Sequence, residues 1–523
     1  MKRIVLSIYL AVFSFLWFAS FGQVVTPGEA SLIAEKSFDH IYNRAGIKGE
    51  PSVGQIVFSD SSHDPALYVF TDAKGGFIIL SAEKRAYPLL GWSESIFLPD
   101  DPAGLPPSLV EMTENWIKQI EFIREKDMTG SEVSDAMWES LEKGYDIMFS
   151  DSKAVAPLLF TKWNQGCGYN ALCPVDSKGP CGRVVTGCVA TAMAQVLRYN
   201  AHPATGVGSK CYTHSVYGQL CADFSEVVYD YDAMTNTSGN SHVALLMYHC
   251  GVAVSMNYGP SGSGAFSSAV ATAMRNYFDY TNGLIVGKGG YAEENWVRLL
   301  TRELENNRPV YYSGHGTGGH AFVVDGYQET DHFHVNWGWG GAYNGYFYLS
   351  ALNPGSMSFT NSQQAIMGMI PTASFTGPDF SSAVELGCRS VVQGDISTGT
   401  DNVNYYKNTW PATFGKELVY RVTTTLPGRI RVKITDETSS VYTFLLNHPH
   451  KDSLVIYGTN GLKADDMPPG TYYIVAEGYA GSEPTFNIEV VCPTADPDLD
   501  IVTASVAPQY IEPLQANLLL KST

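Results

Sequence analysis

Three stretches carry apolar residues at helical spacing. In "TPGEASLIAEKSFDHIYNRAG" they are Leu32, Ile33, Phe38, Ile41 and Tyr42, and Thr26 with Glu29 forms a capping box around Pro27. In "SLVEMTENWIKQIEFIREK" they are Met112, Trp116, Ile120 and Ile123. From Tyr291 to Asn306 they are Trp296, Leu299, Leu300 and Leu304. Elsewhere the apolar runs are short. In "LYVFTDAKGGFIILSAEKRAYPLLGWSE" two of them flank Lys74-Gly75-Gly76, which predicts a hairpin. "PVYYSG", "HAFVVDGY", "HFHVNWGWGG" and "GYFYLSAL" alternate with glycine punctuation and predict an antiparallel sheet. Past residue 378 the texture is all-β, with "ELVYRVTTT", "RIRVKITDE", "SVYTFLLNH", "SLVIYGTNG" and "GTYYIVAEGY" in close succession. That spacing predicts a β-sandwich, and Cys388 and Cys492 are placed to staple its first and last strands.

The N-terminus breaks this pattern. Lys2 and Arg3 precede an apolar run from Ile4 to Phe18, and Ser20 and Gly22 suit a cut before Gln23. This predicts a secretory signal over residues 1–22. A membrane anchor fits less well, because the run is short and no basic cluster follows it. No later stretch is long and apolar enough to span, so the mature chain is expected to be soluble, without a transmembrane segment, where disulfides form. A chain of 523 residues exceeds one core, so the pattern divides further. The divisions are a small α+β unit over 23–150, a mixed unit over 151–374, the sandwich over 378–495, and a tail over 496–523 that starts a further β-domain. A net charge of −19 excludes the basic surface that nucleic acid needs, so no nucleic-acid partner is expected.

The chemistry lies in the second unit. In "VVTGCVATAMAQVLRYN", Gly187 permits a tight turn and Cys188 opens a helix with Val189, Ala192, Met193 and Val196 toward a core. A cysteine in a first helical turn faces unpaired N–H groups, which favour its thiolate. Far downstream, His320 begins an apolar strand after Gly318 and Gly319, which allow close approach of backbone and substrate. Strand alternation puts His332, His334 and Asn336 on one face of the following strand. The order Cys, His, Asn is that of papain-like peptidases, in which an amide side chain holds the imidazole tautomer. Upstream, the Gln165 amide and the Cys188 backbone N–H suit an oxyanion hole. His315 is a weaker candidate base, lacking a following apolar strand. His332 and His334 lack the frame of a zinc site and are expected at a solvent-facing or cleft-edge position. The tryptophans of "NWGWGG" have glycine neighbours that suit a substrate cleft. Setting Cys188 aside leaves eight cysteines, an even number, with Cys173–Cys181 a plausible short loop.

"KWNQGCGYN", "TGCVATAMAQV", "GGHAFVVDGY" and "FHVNWGWGGAYNGYFYLSALNP" resemble the streptopain family of secreted cysteine peptidases, especially the interpain and periodontain group. The resemblance covers roughly residues 23–372. It implies an α+β fold: a papain-like, two-lobed peptidase domain, preceded by a small α+β inhibitory propeptide and followed by the sandwich. It implies Cys188 as nucleophile, His320 as general base and acid, Gln165 in the oxyanion hole, Asn336 orienting His320, and Trp337 and Trp339 walling the cleft. It implies protein or peptide substrates, the chain's own propeptide as intramolecular inhibitor, and no metal or organic cofactor. The propeptide is expected to cross the cleft and displace Cys188 or His320. Two other readings remain: a different Cys–His acyl-transfer enzyme (transglutaminase-like or cell-wall amidase), and a non-catalytic surface binding protein.

Overall fold

The computed structural model describes residues 24–45, 53–72, 75–94, 107–143, 154–281, 283–314, 319–328, 331–349, 363–374, 378–401, 415–449 and 453–494. The first unit comprises α1 (Pro27–Ala45), β1 (Val53–Ser59), β2 (Pro65–Asp72), β3 (Phe77–Ser81), β4 (Leu89–Ser93), α2 (Pro107–Glu125) and α3 (Glu132–Lys143). The capping box forms: Thr26 N donates to Glu29 Oε2 at 2.8 Å, and Glu29 N donates to Thr26 Oγ1 at 3.3 Å. Ile33, Phe38 and Ile41 are buried, but Leu32 is 55% exposed and falls outside the buried stripe. On α2, Trp116, Ile120 and Ile123 are buried and Met112 packs beside them. β2 and β3 pair as the hairpin, and Gly75 and Gly76 take positive φ in its turn.

The second unit holds α4 (Cys188–Asn200), the hairpin β5 (Ser209–His214) and β6 (Gly218–Asp223), α5 (Ser241–Ala253), α6 (Ser268–Tyr277), β7 (Leu284–Gly287) and α7 (Glu293–Glu305). β8 (Val310–Gly314), β9 (His320–Gln328), β10 (His332–Asn336), β11 (Gly345–Tyr348) and β12 (Gln364–Met367) follow. These strands do not form a sheet of their own. One ten-stranded sheet runs β1-β2-β3-β4-β11-β10-β9-β8-β12-β7. The first unit therefore extends the sheet of the second through antiparallel pairing of β4 with β11, Trp92 opposite Tyr346 and Gly91 opposite Phe347. A Cβ on Gly91 would stand 2.8 Å from the Phe347 ring, so only glycine admits this approach.

Alternation along β9 feeds two cores. Phe322 and Val324 join Phe333, Val335, Trp337, the apolar face of α7 and the first unit; Ala321 and Val323 join α4, α5 and α6. α4 is buried from Val189 to Leu197, on all sides rather than one. A helical lobe against a β lobe, with the α+β unit before it and a sandwich after it, is the predicted fold class.

The sandwich pairs a five-stranded and a four-stranded sheet. Cys388–Cys492 lies beside the neighbouring strands Val391–Asp395 and Thr485–Val491, where the sequence placed it. The turn Tyr479–Gly481 sits against α7. Asp401 accepts from Arg302 Nε at 2.9 Å and from Asn306 Nδ2 at 2.7 Å, and the Asp401 and Arg302 side chains are 8% and 9% exposed. Asp401→Ala leaves that guanidinium nearly dry without its carboxylate, at a cost of about 3–5 kcal/mol. Calorimetry is expected to show a lower melting temperature for the variant. An unchanged one would remove this ion pair from the chain's stability.

The other pairings correct the sequence expectation. Cys167 bonds Cys181 and Cys211 bonds Cys221, while Cys173, Cys188 and Cys250 are free. Cys173 does not reach Cys181. The turn from Gly166 to Cys173 sends Cys167 outward and Cys173 into the core. Cys188 is thus one of three free thiols, and the others are buried.

Candidate active site

Cys188 stands at the N-terminus of α4 because Gly187 takes φ +88°. A Cβ there would lie 2.9 Å from both the Met256 thioether and the Ser263 carbonyl, so the turn requires glycine. The cysteine is partly exposed. Burial alone would push its thiol up. The hydrogen bond and charge of His320, with the backbone N–H groups of Ala321 and Val189, outweigh burial and hold it below the ordinary thiol value. Cys173 and Cys250 show the contrast: burial pushes the Cys173 thiol up to about 12, and Cys250 moves in the same direction.

His320 opens β9 and is 6% exposed. Its Nε2 lies 3.1 Å from the Trp337 carbonyl oxygen. A carbonyl can only accept, so Nε2 carries a proton and Nδ1 is the nitrogen left to the thiol. The group seen against Nε2 is therefore a backbone oxygen rather than the Asn336 side chain. Asn336 is buried; its Nδ2 donates to the Thr161 carbonyl at 2.7 Å, and its Oδ1 accepts from Gln195 Nε2 at 3.3 Å and Gly338 N at 3.2 Å. A register shift between His334 and Val335 breaks the alternation assumed for β10.

Trp337 does not wall the cleft. Its ring is fully buried, 4.8 Å from Phe322 and 5.2 Å from Phe347, with Nε1 donating to the Tyr343 carbonyl. Trp339 is partly exposed, edge-on to the His320 ring at 6.5 Å. The Gln165 carbonyl accepts from the N–H of Thr186, two residues before Cys188, at 3.0 Å, and Gln165 is not among the residues that line the cavity at Cys188. Gly319 lines the cavity at the site, while Gly318 and His315 lie outside the described residues.

That cavity measures about 590 Å³ and is lined by Cys188, His320 and the segment 254–267, including Val254, Ala265 and Phe266. Phe266 is 84% exposed at its rim. Nothing in the sequence marks this segment, which lacks a periodic pattern. Nor could a main-chain oxygen such as that of Trp337 be picked out, since every residue has one. Gln195 did leave a cue: it is an amide in a helical run of mostly small and apolar residues.

A thiol lowered by a buried imidazole at a helix N-terminus, open to a cavity, is a nucleophile's arrangement. Comparison with known proteins agrees. Residues 163–347 match the model of the peptidase C10 family. Residues 22–120 match that of the Spi protease inhibitor. Streptopain of Streptococcus pyogenes serotype M1 is 33% identical over 338 residues, covering 58% of this chain and 81% of that protein. The chain belongs to the peptidase C10 family, that of streptopain. It is a cysteine endopeptidase that carries its own inhibitor domain as a zymogen. The thiol protease/hemagglutinin PrtT of Porphyromonas gingivalis is 31% identical over 354 residues, 61% of this C10 peptidase and 38% of PrtT. The prointerpain A fragment of Prevotella intermedia is 34% identical at a TM-score of 0.48, covering 61% of this chain and 99% of that one.

In this C10 zymogen the described residues of the inhibitor domain sit at β11. Cys188 and His320 line one cavity and the imidazole still lowers the thiol, so the expected displacement of Cys188 or His320 is not what the structure shows. His332 also departs from expectation. It is fully buried between the two units, its Nε2 donating to the Leu89 carbonyl at 3.0 Å and its ring 4.6 Å from that of Trp92. His334 Nδ1 pairs with Asp325 at 2.6 Å.

Proposed function

We propose that this C10 peptidase is exported by a signal over residues 1–22 and hydrolyses peptide bonds of proteins with Cys188 as nucleophile and His320 as base and acid. The observation that carries the reading is that Cys188 and His320 line one cavity, with the imidazole holding the thiol below its usual range. The thiolate attacks the scissile carbonyl carbon. The oxyanion meets the Cys188 backbone N–H and the Gln165 side-chain amide. His320 gives a proton to the leaving amine, leaving an acyl group on Sγ. It then takes a proton from water, whose oxygen attacks the thioester and releases the acid, leaving the Cys188 thiolate beside the protonated His320.

The unit at 23–150 acts as the inhibitor of the peptidase unit at 151–374, with the sandwich at 378–495 attached behind it. Three disulfides among the described residues suit an oxidising destination. Alkylation with iodoacetamide tests the reading. Cys188 alone among the three free thiols is expected to be labelled in the folded chain. Because its thiol is lowered, labelling should persist at a pH where a free cysteine is slow. Peptide mapping that found Cys173 or Cys250 labelled first would overturn it.

A further inference from the structure

Asn336 does not need to touch the imidazole to direct it. The peptide unit between Trp337 and Gly338 holds both ends of the connection: its N–H donates to Asn336 Oδ1 at 3.2 Å, and its C=O accepts from His320 Nε2 at 3.1 Å. A peptide is planar, so fixing one end aims the other. Gly338 takes φ +71°, a left-handed conformation that glycine reaches without strain. The hydrogen bond to Asn336 selects one orientation.

Asn336 Oδ1 has a second donor, Gln195 Nε2 at 3.3 Å. Gln195 Oε1 accepts from Thr161 Oγ1 at 3.0 Å, and Asn336 Nδ2 donates to the Thr161 carbonyl at 2.7 Å, so the network closes on one residue. Gln195, Asn336 and Thr161 are 0%, 1% and 3% exposed. An amide buried so deeply must find partners, and those it finds lead to His320. Gln195 also lies on α4 with the nucleophile. Two turns on from Cys188, it stands within about 20° of the same helix side and roughly 10 Å along the axis.

We propose that Gln195, acting through Asn336 and the Trp337–Gly338 peptide, is a positioning residue that sets the tilt of the His320 ring toward Cys188. The helix that presents the nucleophile thereby also positions its base. This rests on the reading of Cys188 and His320 as the reacting pair.

The test compares the parent chain with Gln195→Met, which is close in size and has no N–H to donate. Cys188 alkylation is followed against pH by mass spectrometry, and kcat and KM are measured on a peptide. A tilted ring bonds the thiol less well, so less thiolate forms at acid pH. The alkylation inflection is expected to move to higher pH, and kcat to fall roughly 10- to 100-fold, with KM near that of the parent. An unmoved inflection and kcat alongside a lower melting temperature would make Gln195 a packing residue only and overturn the proposal. Should Gln195→Met fail to fold, Thr161→Val removes only the hydroxyl that holds Gln195 Oε1. It is expected to shift the inflection in the same direction by less, and no shift there would equally overturn the proposal. A parent chain in which Cys188 is not labelled at all would instead sink the underlying site reading.

Discussion

Cys188→Ala leaves the full chain unable to process itself or to cleave a denatured protein, a loss of about 10⁴-fold or more. The size follows from the site. The other free thiols, Cys173 and Cys250, are buried with raised pKa values, so neither substitutes as a nucleophile. His320→Ala should approach the same floor by a different route. It removes the hydrogen bond and the charge that offset burial of Cys188, so the thiol rises and the thiolate is lost at neutral pH. The two variants are separable by iodoacetamide: the alanine at 188 has nothing to label, and the alanine at 320 labels only as the pH is raised. A Cys188→Ala chain that matured and cleaved like the parent would end this account of the enzyme.

The second large effect lies at the seam between inhibitor and peptidase. Trp92 is 2% exposed, stacks on Tyr346 at 5.3 Å and meets the His332 ring, while Tyr87 stacks on Tyr348 at 4.1 Å. Together with the β4–β11 ladder these contacts form a shared core. Cutting the chain between the units breaks none of them. After cleavage near residues 148–158, the inhibitor unit is therefore expected to co-elute with the peptidase on size exclusion. Trp92→Ala removes the largest side chain of the seam, at about 3–5 kcal/mol. That corresponds to roughly 10²- to 10⁴-fold weaker retention at about 1.4 kcal/mol per decade. The variant's cleaved inhibitor should separate on the column, and activity should appear sooner. Co-elution as tight as the parent's would show that the seam is held elsewhere.

Short-range signals were legible in the sequence. The Thr26–Glu29 box, the hairpin at Gly75-Gly76 and the sandwich with its Cys388–Cys492 staple depend on neighbours or on regular repetition. The order of Cys188, His320 and Asn336 was legible too, because each residue type carries its chemistry with it. What escaped depends on partners distant in sequence. Nothing in "LLGWS" announces that β4 will join β11, nor that His332 will be enclosed by it. Alternation placed Asn336 and Trp337 on opposite faces but could not give the shift at His334–Val335. Trp337 stands out in the sequence by its ring, whereas its main-chain oxygen is what meets His320. Spacing says nothing about which way a turn points a thiol, so it does not single out Cys167 as the partner of Cys181.

β11 has one further consequence. Asn344, the residue just before it, accepts the Trp337 N–H at 3.1 Å, so the strand that carries the inhibitor also anchors the residue whose oxygen meets His320. Once the inhibitor departs, an interior strand becomes a border strand with its hydrogen-bonding groups bare to water. Ageing of the mature peptidase should then begin at this border, because fraying there would loosen Asn344 before either core opens.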